Sequence, residues 1–472
     1  MTTDATAFPE DARAALNNAR LQGALTHLKE GFQVKRAAAF AAYPIPFESL
    51  REQGRAIKES ALSRLDELLV QFEAHVTANG GKVHWARDAA EARDVVTRIL
   101  KESGANTVTK GKSMVTEEIE LNPHLVANGL TPIETDLGEY IIQLRNERPS
   151  HIVAPAFHLR RSDVEESFRE KHETLPPSRS LDNRPALVAE ARAVLRQHFE
   201  AADAGITGAN FLVAETGTAV IVTNEGNGDL TRLLPRTHIV VTGIEKVVPR
   251  LQDVSVLLRL LTRSATGQEI TSYVSFMSGP KRAGDADGPE NFHVVLVDNG
   301  RSALIASPVR EVLQCIRCGA CMNHCPVYGA IGGHAYGATY PGPLGAALDP
   351  GLDGLAKTYH LPFASSFCGR CEAVCPVKIP LTKMMRYWRG ESFARGIPRS
   401  SLNTGLKLWG WAARRPKLYR KMESLAAWFM RMTAGRKGNI RSLPILTGWF
   451  VARDLAKPAP ETFQSQWQRR QR

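Results

Sequence analysis

Cysteine is missing from most of this sequence. None of the seven cysteines of the 472-residue chain lies in the first 314 residues, and none lies in the last 97, so that all fall between Cys315 and Cys375. A secreted disulfide framework would spread its cysteines along the chain and would favour an even number. The clustering excludes that class of protein. Thiols grouped in this way need a reducing compartment, which predicts a cytoplasmic location.

The sequence also lacks a targeting segment and a long apolar run. Its first residues are polar and carry acids, with no basic segment followed by an apolar one. The longest apolar stretches, such as residues 442–452, are shorter than the ~20 residues of a membrane-spanning helix. These absences predict a protein that is soluble or at most peripheral to a membrane.

Excess positive charge is absent outside the tail. Residues 399–472 hold 16 Lys or Arg and 3 Asp or Glu, a balance of +13, whereas the whole chain carries +12. Five of the seven tryptophans lie in the same tail, and Leu418, Met422, Leu425 and Phe429 form an amphipathic face. The tail predicts contact with an anionic membrane surface or an acidic partner, and we favour a helical docking face. No nucleic-acid reading element is present.

Composition divides the chain into four segments: a helical segment over 1–81, an α/β domain over 82–307, a cysteine-containing domain over 308–398 and the helical basic tail over 399–472. Two long helices are predicted at 12–42 and 47–78. In the second segment short β-rich runs, one of them at 152–155, alternate with amphipathic helices. This alternation predicts an open α/β sheet covered on both faces.

Two cysteine motifs carry the chemistry. The first is Cys315-Ile-Arg-Cys318-Gly-Ala-Cys321-Met-Asn-His-Cys325-Pro. Its first three thiolates grip three corners of one cubane in bacterial ferredoxins, where the cysteine before proline binds the other cluster. The second motif is Cys368-Gly-Arg-Cys371-Glu-Ala-Val-Cys375-Pro, which lacks one x-x-Cys unit.

The ferredoxin rule divides these cysteines unequally between two [4Fe–4S] clusters. Cluster 1 is predicted to bind Cys315, Cys318, Cys321 and Cys375, and cluster 2 receives Cys325, Cys368 and Cys371. Each of four irons needs an outer ligand. The alternatives are His324, His334, His360, water, a group from a partner subunit, or a [3Fe–4S] centre. We favour a four-iron cluster with a non-cysteine or labile fourth ligand.

A structural zinc site is the alternative to iron and sulfur. Zinc modules use pairs of ligands separated by a loop, with four ligands for each ion. Three cysteines within seven residues, followed by a fourth before proline and a truncated repeat, fit that arrangement poorly. Two clusters with exchanged ligands suit sequential electron transfer. No catalytic residue is predicted, because no pair of residues in this region suggests a hydride or proton transfer.

The α/β domain offers fewer signals. An acidic group is interpreted as solvated surface; its members are Glu134, Asp136 and Glu139. His151 and His158 are taken as ordinary core or surface histidines. If the domain is itself an enzyme, a nucleophilic carboxylate or an anion-binding lysine is needed. The residues to test are Lys112, Glu215 and Glu225.

The chain resembles the lactate utilization protein B family of iron–sulfur proteins with a LUD domain. The resemblance rests on Cys-Ile-Arg-Cys-Gly-Ala-Cys at 315–321, Gly332-Gly333-His334, Cys375-Pro-Val-Lys-Ile-Pro380, Asn224-Glu-Gly-Asn227 and Gly243-Ile-Glu-Lys246. It implies a sugar-isomerase/CoA-transferase-like α/β fold followed by a ferredoxin-type two-cluster domain. It also implies that the seven cysteines bind the clusters of an electron carrier.

The same resemblance implies a three-component system that oxidises L-lactate to pyruvate. The implied partners are a second LUD protein and a cysteine-rich redox subunit. Three alternatives stay open: a LUD-domain enzyme acting on an acyl or phosphorylated substrate with regulatory clusters, an electron carrier for another 2-hydroxy acid such as glycolate, and a redox sensor or scaffold.

Overall fold

The structure is a computed structural model that describes residues 6–111, 113–398, 400–434, 438–442, 450 and 453–471. The chain divides into two compact units, residues 1–392 and 393–472. All seven cysteines belong to the first unit. Lys112 and Trp449 lie outside the described residues.

The larger unit is built on a six-stranded parallel sheet with strand order β1-β10-β7-β4-β2-β3. A second sheet has the order β8-β5-β6-β9, and the smaller unit contains the pair β11-β12. The described strands are β1 Lys82–Ala86, β2 Thr107–Lys110, β3 Thr131–Glu134, β4 Ala204–Thr207, β5 Phe211–Val213, β6 Thr218–Thr223, β7 Thr237–Gly243, β8 Val247–Val248, β9 Tyr273–Met277, β10 Asn291–Val297, β11 Asn439–Ile440 and β12 Leu455–Ala456.

Twenty-four α-helices are described. They are α1 Phe8–Asn17, α2 Ala19–Leu28, α3 Val34–Ala41, α4 Phe47–Ser63, α5 Leu65–Ala78, α6 Ala89–Glu102, α7 Met114–Glu118, α8 Leu121–Ala127, α9 Leu137–Leu144, α10 Arg161–Lys171, α11 Arg184–Ala201, α12 Asn227–Leu233, α13 Leu251–Ala265, α14 Arg301–Ile305, α15 Ala320–Asn323, α16 Tyr328–Ile331, α17 Gly342–Asp349, α18 Leu355–Thr358, α19 His360–Phe363, α20 Arg370–Ala373, α21 Leu381–Ala394, α22 Ser400–Ala413, α23 Pro416–Thr433 and α24 Phe463–Arg470. Single π-helical turns occur at Lys29–Gln33 and Pro350–Gly354, and 3-10 turns at Ile244–Lys246, Arg310–Gln314 and His334–Tyr336.

Both faces of the parallel sheet are buried, as the alternation along β7 shows. Ile239 and Val241 belong to the core formed with α6, α7 and α8, whereas Val240 belongs to the core formed with α5 and the second sheet. Successive side chains of a strand point to opposite faces, so a central strand covered on both sides is apolar throughout. The predicted α/β sheet with two covered faces is confirmed.

The N-terminal helices are more broken than the sequence predicts. The first predicted helix is interrupted at Asn18, whose Oδ1 accepts the N–H of Leu21 at 3.1 Å and so caps a new helix. The second is interrupted at Arg64, with φ −131° and ψ 35°. The helical class of this segment is confirmed, but its division into two continuous helices is wrong.

The predicted strand at 152–155 is also wrong. These residues form bends and turns, because the ring of His151 holds the backbone in a local turn. Its Nδ1 accepts the N–H of Val153 at 3.0 Å and that of Ala154 at 3.2 Å. A side chain that accepts nearby backbone N–H groups competes with sheet pairing. The segment instead packs beside the first cysteine motif.

The carboxyl ends of the parallel strands meet at one edge of the sheet. The turn Ile244–Lys246 directly follows β7, and α14 follows β10 after a short loop. Ligands of open α/β sheets bind outside this edge, where the connections are free to diverge. In this chain the same edge carries the first cysteine motif.

Candidate metal centre and adjoining cavity

The first cysteine motif winds tightly around its thiols. Cys315 follows a 3-10 turn, and the backbone is left-handed at Arg317, with φ 60°, and at Gly319, with φ 73°. Helix α15 begins directly after Gly319. An added Cβ at Gly319 would lie 3.3 Å from the ring of His151, so this glycine is needed for both conformation and clearance.

The second motif repeats this winding. Phe367 has φ 54° and Gly369 has φ 77°, and α20 begins directly after Gly369. The amide of Cys375 donates to the carbonyl of Glu372 at 3.1 Å, as the amide of Cys325 does to that of Met322. The two motifs are therefore structural repeats as well as sequence repeats.

Backbone amides point at three of the thiols. The N–H of Arg317 donates to Cys315 Sγ at 3.3 Å, that of Ile379 to Cys375 Sγ at 3.3 Å, and that of Tyr328 to Cys325 Sγ at 3.5 Å. Such bonds stabilise thiolate sulfur and tune the potential of a bound cluster. The described donors to sulfur do not include the amides of Gly319 and Gly369.

The thiols of the first predicted set act on one another electrostatically. Burial raises the pKa of Cys318, and negative charge on Cys315 and Cys375 raises it further. Burial and the same neighbours raise the pKa of Cys321 well above its ordinary value. Burial also raises the pKa of Cys375 to about 11, with Cys315 among the groups that raise it.

The second predicted set behaves in the same way. Burial raises the pKa of Cys371 to about 12, and Cys325 and Cys368 add to the effect. Burial raises the pKa of Cys325, followed by the charge of Cys368. Cys321 is the thiol that links the sets, because Cys371 also raises its pKa. The division of ligands between two clusters stays a prediction, and these neighbours agree with it.

The protein residues fit an iron–sulfur cofactor. All seven cysteines are free, and a bound metal cation would favour loss of the thiol protons that burial otherwise retains at Cys318, Cys321, Cys325, Cys371 and Cys375, where it raises the pKa. Amide donors are already directed at the sulfurs. The set offers more soft donors than a tetrahedral zinc ion accepts.

The three candidate histidines differ in which ring nitrogen is engaged. His324 uses Nδ1, 2.9 Å from the carbonyl of Ala320. His334 and His360 use Nε2, 2.7 Å and 3.0 Å from carbonyl oxygens. A nitrogen that donates to a carbonyl is protonated and cannot bind a metal. The remaining nitrogen of each ring keeps all three histidines among the alternatives.

His334 also belongs to a small group with Glu147 and His158, whose possible ligand atoms all lie within 4.8 Å of one another. His158 Nε2 is 2.7 Å from Glu147 Oε2, and its Nδ1 is 2.8 Å from Ser150 Oγ. His158 and Arg145 lower the pKa of Glu147 to about 2, against the opposing effect of burial. Because both nitrogens of His158 are engaged, we interpret this group as a hydrogen-bonded support for the cysteine domain.

A buried charge network joins the first cysteine motif to the parallel sheet. Arg317 Nη2 donates to Glu245 at 3.2 Å, and Arg301 Nε donates to the other oxygen of Glu245 at 2.6 Å. Arg301 also forms two bonds to Glu118, at 2.8 and 2.7 Å. Burial opposes ionisation, but Arg301 and its neighbours lower the pKa of Glu245 to about 2. Buried carboxylates paired in this way stay charged.

Two buried lysines complete this network. Lys58 Nζ donates to the carbonyl of Glu245 at 2.6 Å. Burial lowers the pKa of Lys58 to about 8 and that of Lys246 to about 7, and a negative charge on Cys315 opposes both shifts. A negatively charged sulfur centre at Cys315 therefore has cations on its sheet-facing side.

A cavity of about 450 Å³ adjoins this network at the carboxyl edge of the sheet. Arg317 and Tyr340 of the cysteine domain line it together with Lys246, Thr242 and Asn227 of the α/β domain. Among the described residues, no partner is found for Arg317 Nη1, Thr242 Oγ1 or either amide atom of Asn227. Asn227 is 6% exposed and Thr242 is 1% exposed, so these polar groups are buried in the cavity lining.

The other candidate residues of the α/β domain do not all lie at the cavity. Glu225 lines the cavity, whereas Glu215 accepts the N–H of Leu251 at 2.9 Å and serves the start of α13. Lys112 lies outside the described residues.

The acidic group at 134–139 is buried, so its interpretation as solvated surface is wrong. Lys110 Nζ lies 2.7 Å from Glu134, and Asp136 accepts the N–H of Gly138 at 3.0 Å. The sequence could not show this pairing because Lys110 lies on a different strand.

The tail forms helices whose apolar residues remain exposed. In α23, Met422, Leu425 and Phe429 are 47%, 65% and 53% exposed, and no residue of this helix is buried. The predicted amphipathic helix is confirmed. Within the described part of the chain, no helix is long and apolar enough to cross a membrane.

The LUD domain family matches residues 69–297, and the 4Fe-4S dicluster domain family matches residues 311–379. The chain is 41% identical to "Lactate utilization protein B" of Bacillus pumilus over 100% of this chain and 99% of the relative. It is 42% identical to "Uncharacterized electron transport protein YkgF" of Escherichia coli, over 90% and 89% of the two chains.

A crystal structure of a DUF162 family protein from Deinococcus radiodurans covers 49% of this chain and 98% of its own, at 16% identity and a TM-score of 0.27, a value too low to support an argument.

A LUD-type α/β domain followed by paired cysteine motifs defines an iron–sulfur protein with a dicluster domain. The chain belongs to the lactate utilization protein B family. The predicted family and fold class are confirmed. The iron–sulfur cofactor is confirmed as well, whereas the number of clusters and their individual ligands stay predictions.

Proposed function

We propose that this protein is the electron-transfer iron–sulfur subunit of a system that oxidises L-lactate to pyruvate. The observation that carries the proposal is the arrangement of seven free thiols in two electrostatically linked sets, with backbone amides directed at three of the sulfurs. The names of the relatives, which concern lactate utilization and electron transport, agree with it.

The chain's own residues hold and tune the carriers. Oxidation of a 2-hydroxy acid to a 2-oxo acid releases two electrons and two protons. When bound, two [4Fe–4S] clusters supply two one-electron sites. Cys321 and Cys371, one from each set, interact electrostatically, which supports two sites that lie close together. Arg317 places positive charge beside Cys315, and Lys58 and Lys246 add to it when protonated, which favours the reduced state there.

The proposed setting is a cytoplasmic multi-protein redox system. A second LUD protein and a cysteine-rich redox subunit are the proposed partners. The exposed apolar side of α23 and the basic residues around it are the proposed docking face for an acidic partner or a membrane surface. In this arrangement the oxidation of lactate takes place on a partner, and this chain relays the electrons.

The test is anaerobic purification followed by iron and sulfide analysis and EPR spectroscopy. We expect about seven to eight iron atoms per chain. L-lactate should reduce them only when the partner subunits are present. Zinc in place of iron would exclude the relay, and reduction of the isolated chain by lactate would assign catalysis to this subunit. Glycolate in parallel assays decides between lactate and another 2-hydroxy acid.

A second candidate function has support from the cavity. We propose that the LUD domain binds an organic anion there, because Arg317 and Lys246 supply positive charge and Asn227 and Thr242 present polar atoms without partners. A buried polar group without a partner is costly, and a ligand would satisfy it. An enzyme acting on an acyl or phosphorylated substrate would use this site.

A pair of matched variants tests the cavity. Thr242→Val removes an unpartnered hydroxyl in the cavity lining, and Thr109→Val removes an unpartnered buried hydroxyl on β2 that does not line it. Both should leave stability nearly unchanged, because neither hydroxyl has a partner to lose. With pyruvate, phenylpyruvate and FMN as calorimetric probes, Thr242→Val should weaken binding about tenfold. Equal binding by both variants would exclude the cavity.

A further inference from the structure

The backbone of the first cysteine motif from Arg317 to Cys325 is repeated fifty residues later. The matching positions are Arg317 and Phe367, Gly319 and Gly369, Cys321 and Cys371, and Cys325 and Cys375. Helix α15 at Ala320–Asn323 likewise corresponds to α20 at Arg370–Ala373. No insertion or deletion separates the two motifs. This register places Ser365 at the position that Cys315 occupies in the first motif.

Ser365 also repeats the local hydrogen bond of Cys315. The N–H of Arg317 donates to Cys315 Sγ at 3.3 Å, and the N–H of Phe367 donates to Ser365 Oγ at 3.2 Å. A serine turn makes such a bond without any metal. Here the backbone is equivalent as well, because the two donor residues have similar left-handed φ angles. The angle is 60° at Arg317 and 54° at Phe367. The hydroxyl therefore starts from the same backbone position as the thiol.

The loop that carries Ser365 is held in place. Arg389 Nη2 donates to the carbonyl of Ser365 at 3.0 Å, and its Nε donates to the carbonyl of Pro362 at 2.9 Å. The guanidinium of the same arginine lies 4.1 Å from the centre of the Phe367 ring. These contacts fix the backbone on both sides of the serine. A ligand atom on a fixed loop keeps its geometry as electrons come and go.

We propose that Ser365 Oγ is the fourth ligand of cluster 2, beside Cys325, Cys368 and Cys371. This proposal rests on the two-cluster function proposed above. On binding, the hydroxyl gives its proton to solvent and forms one Fe–O bond, with no change in the number of electrons. An alkoxide oxygen is a harder donor than a thiolate and stabilises ferric iron. Serine at this position would therefore lower the potential of cluster 2 relative to a four-cysteine site.

The test uses the full chain, purified anaerobically with its clusters. Ser365→Ala removes the proposed ligand, Ser365→Cys replaces oxygen by sulfur, and Ser366→Ala is the matched control on the neighbouring exposed serine. We expect Ser365→Ala to lose about one iron per chain and to gain a [3Fe–4S] EPR signal when oxidised. Ser365→Cys should keep all its iron and raise the midpoint potential of one cluster. Ser366→Ala should match the wild type in both measurements.

The outcomes separate this proposal from the one on which it rests. Wild-type protein with about eight irons and a Ser365→Ala variant of identical iron content and EPR spectrum would exclude the serine ligand alone. Wild-type protein with only about four irons would contradict the two-cluster function, and the serine ligand with it. An unchanged midpoint potential in Ser365→Cys, at full iron content, would also contradict oxygen ligation, because a merely structural serine does not set the potential.

Discussion

The two cysteine motifs share one backbone pattern but occupy different surroundings. The first packs against the α/β domain: Asn323 Oδ1 is 2.9 Å from the ring of His151, and Arg317 reaches Glu245. The second contacts the N-terminal helices instead, since Arg51 donates to the carbonyl of Cys375 at 2.7 Å and Arg36 donates to that of Val374 at 2.9 Å, and its Cys368 is exposed. With Cys325 and Cys375 exchanged between the motifs, predicted cluster 1 includes the buried Cys318 and Cys375, and predicted cluster 2 includes the exposed Cys368. The difference predicts distinct stabilities and potentials for the two clusters.

The largest expected effect comes from removing one thiol ligand from each predicted cluster. Cys318→Ala should abolish cluster 1 and destabilise the larger unit, because Cys318 is buried. Cys368→Ala, at an exposed position, should abolish only cluster 2. Iron analysis and thermal unfolding of both variants measure the contrast. Equal unfolding temperatures of the two variants would show that burial of the lost thiol does not determine the loss of stability.

Accessibility provides the next comparison. Because Cys368 is exposed whereas Cys318 and Cys375 are buried, oxygen or a chelator should reach cluster 2 first. Absorbance and EPR spectra recorded during slow exposure to air should show two phases, with the faster phase missing in Cys368→Ala. A single phase in the wild type would contradict the distinction.

The buried lysine beside Cys315 sharpens the electrostatic part of the comparison. Lys246→Met should lower the midpoint potential of cluster 1 by about 30–60 mV, on the order of 1 kcal/mol for one electron, and should leave cluster 2 nearly unchanged. Exposed Lys101, which donates to Asn128 at 3.2 Å, is the control position for the same substitution. Redox titration followed by EPR resolves the two signals. An equal shift in the midpoint potentials of both clusters would mean that the effect of Lys246 is not local to Cys315.

The smallest expected contrast is the difference in stability between variants of the two matching glycines. Alanine at either position meets a left-handed φ, which costs about 1–2 kcal/mol. At Gly319 the added Cβ also lies 3.3 Å from both His151 and Val153, whereas at Gly369 no atom lies within 4 Å. Gly319→Ala should therefore destabilise the protein more than Gly369→Ala. Denaturant unfolding measures the difference, and equal values would indicate that His151 and Val153 move aside easily.

Much of this architecture was predictable because its signals are local. Alternating strands and helices, the cysteine spacing and the amphipathic α23 all follow from residues near one another in the chain. The wrong predictions have non-local or side-chain causes. His151 accepts backbone N–H groups and turns a β-rich segment into a bend. Lys110 on β2 forms a buried ion pair with Glu134 on the neighbouring strand β3. The cavity at Asn227 and Thr242 likewise forms only where separate strand ends converge.

The sequence by itself determined the class of cofactor, because thiols spaced at intervals of three suit an iron–sulfur cubane whatever the rest of the chain does. It also predicts that the cysteines divide four and three between two clusters. Tertiary structure alone decided what surrounds each set, since the cations beside Cys315 come from α4, from the turn after β7 and from the motif itself. It also showed that the backbone around Ser365 repeats that around Cys315, because equivalent φ angles and hydrogen bonds are properties of a folded chain.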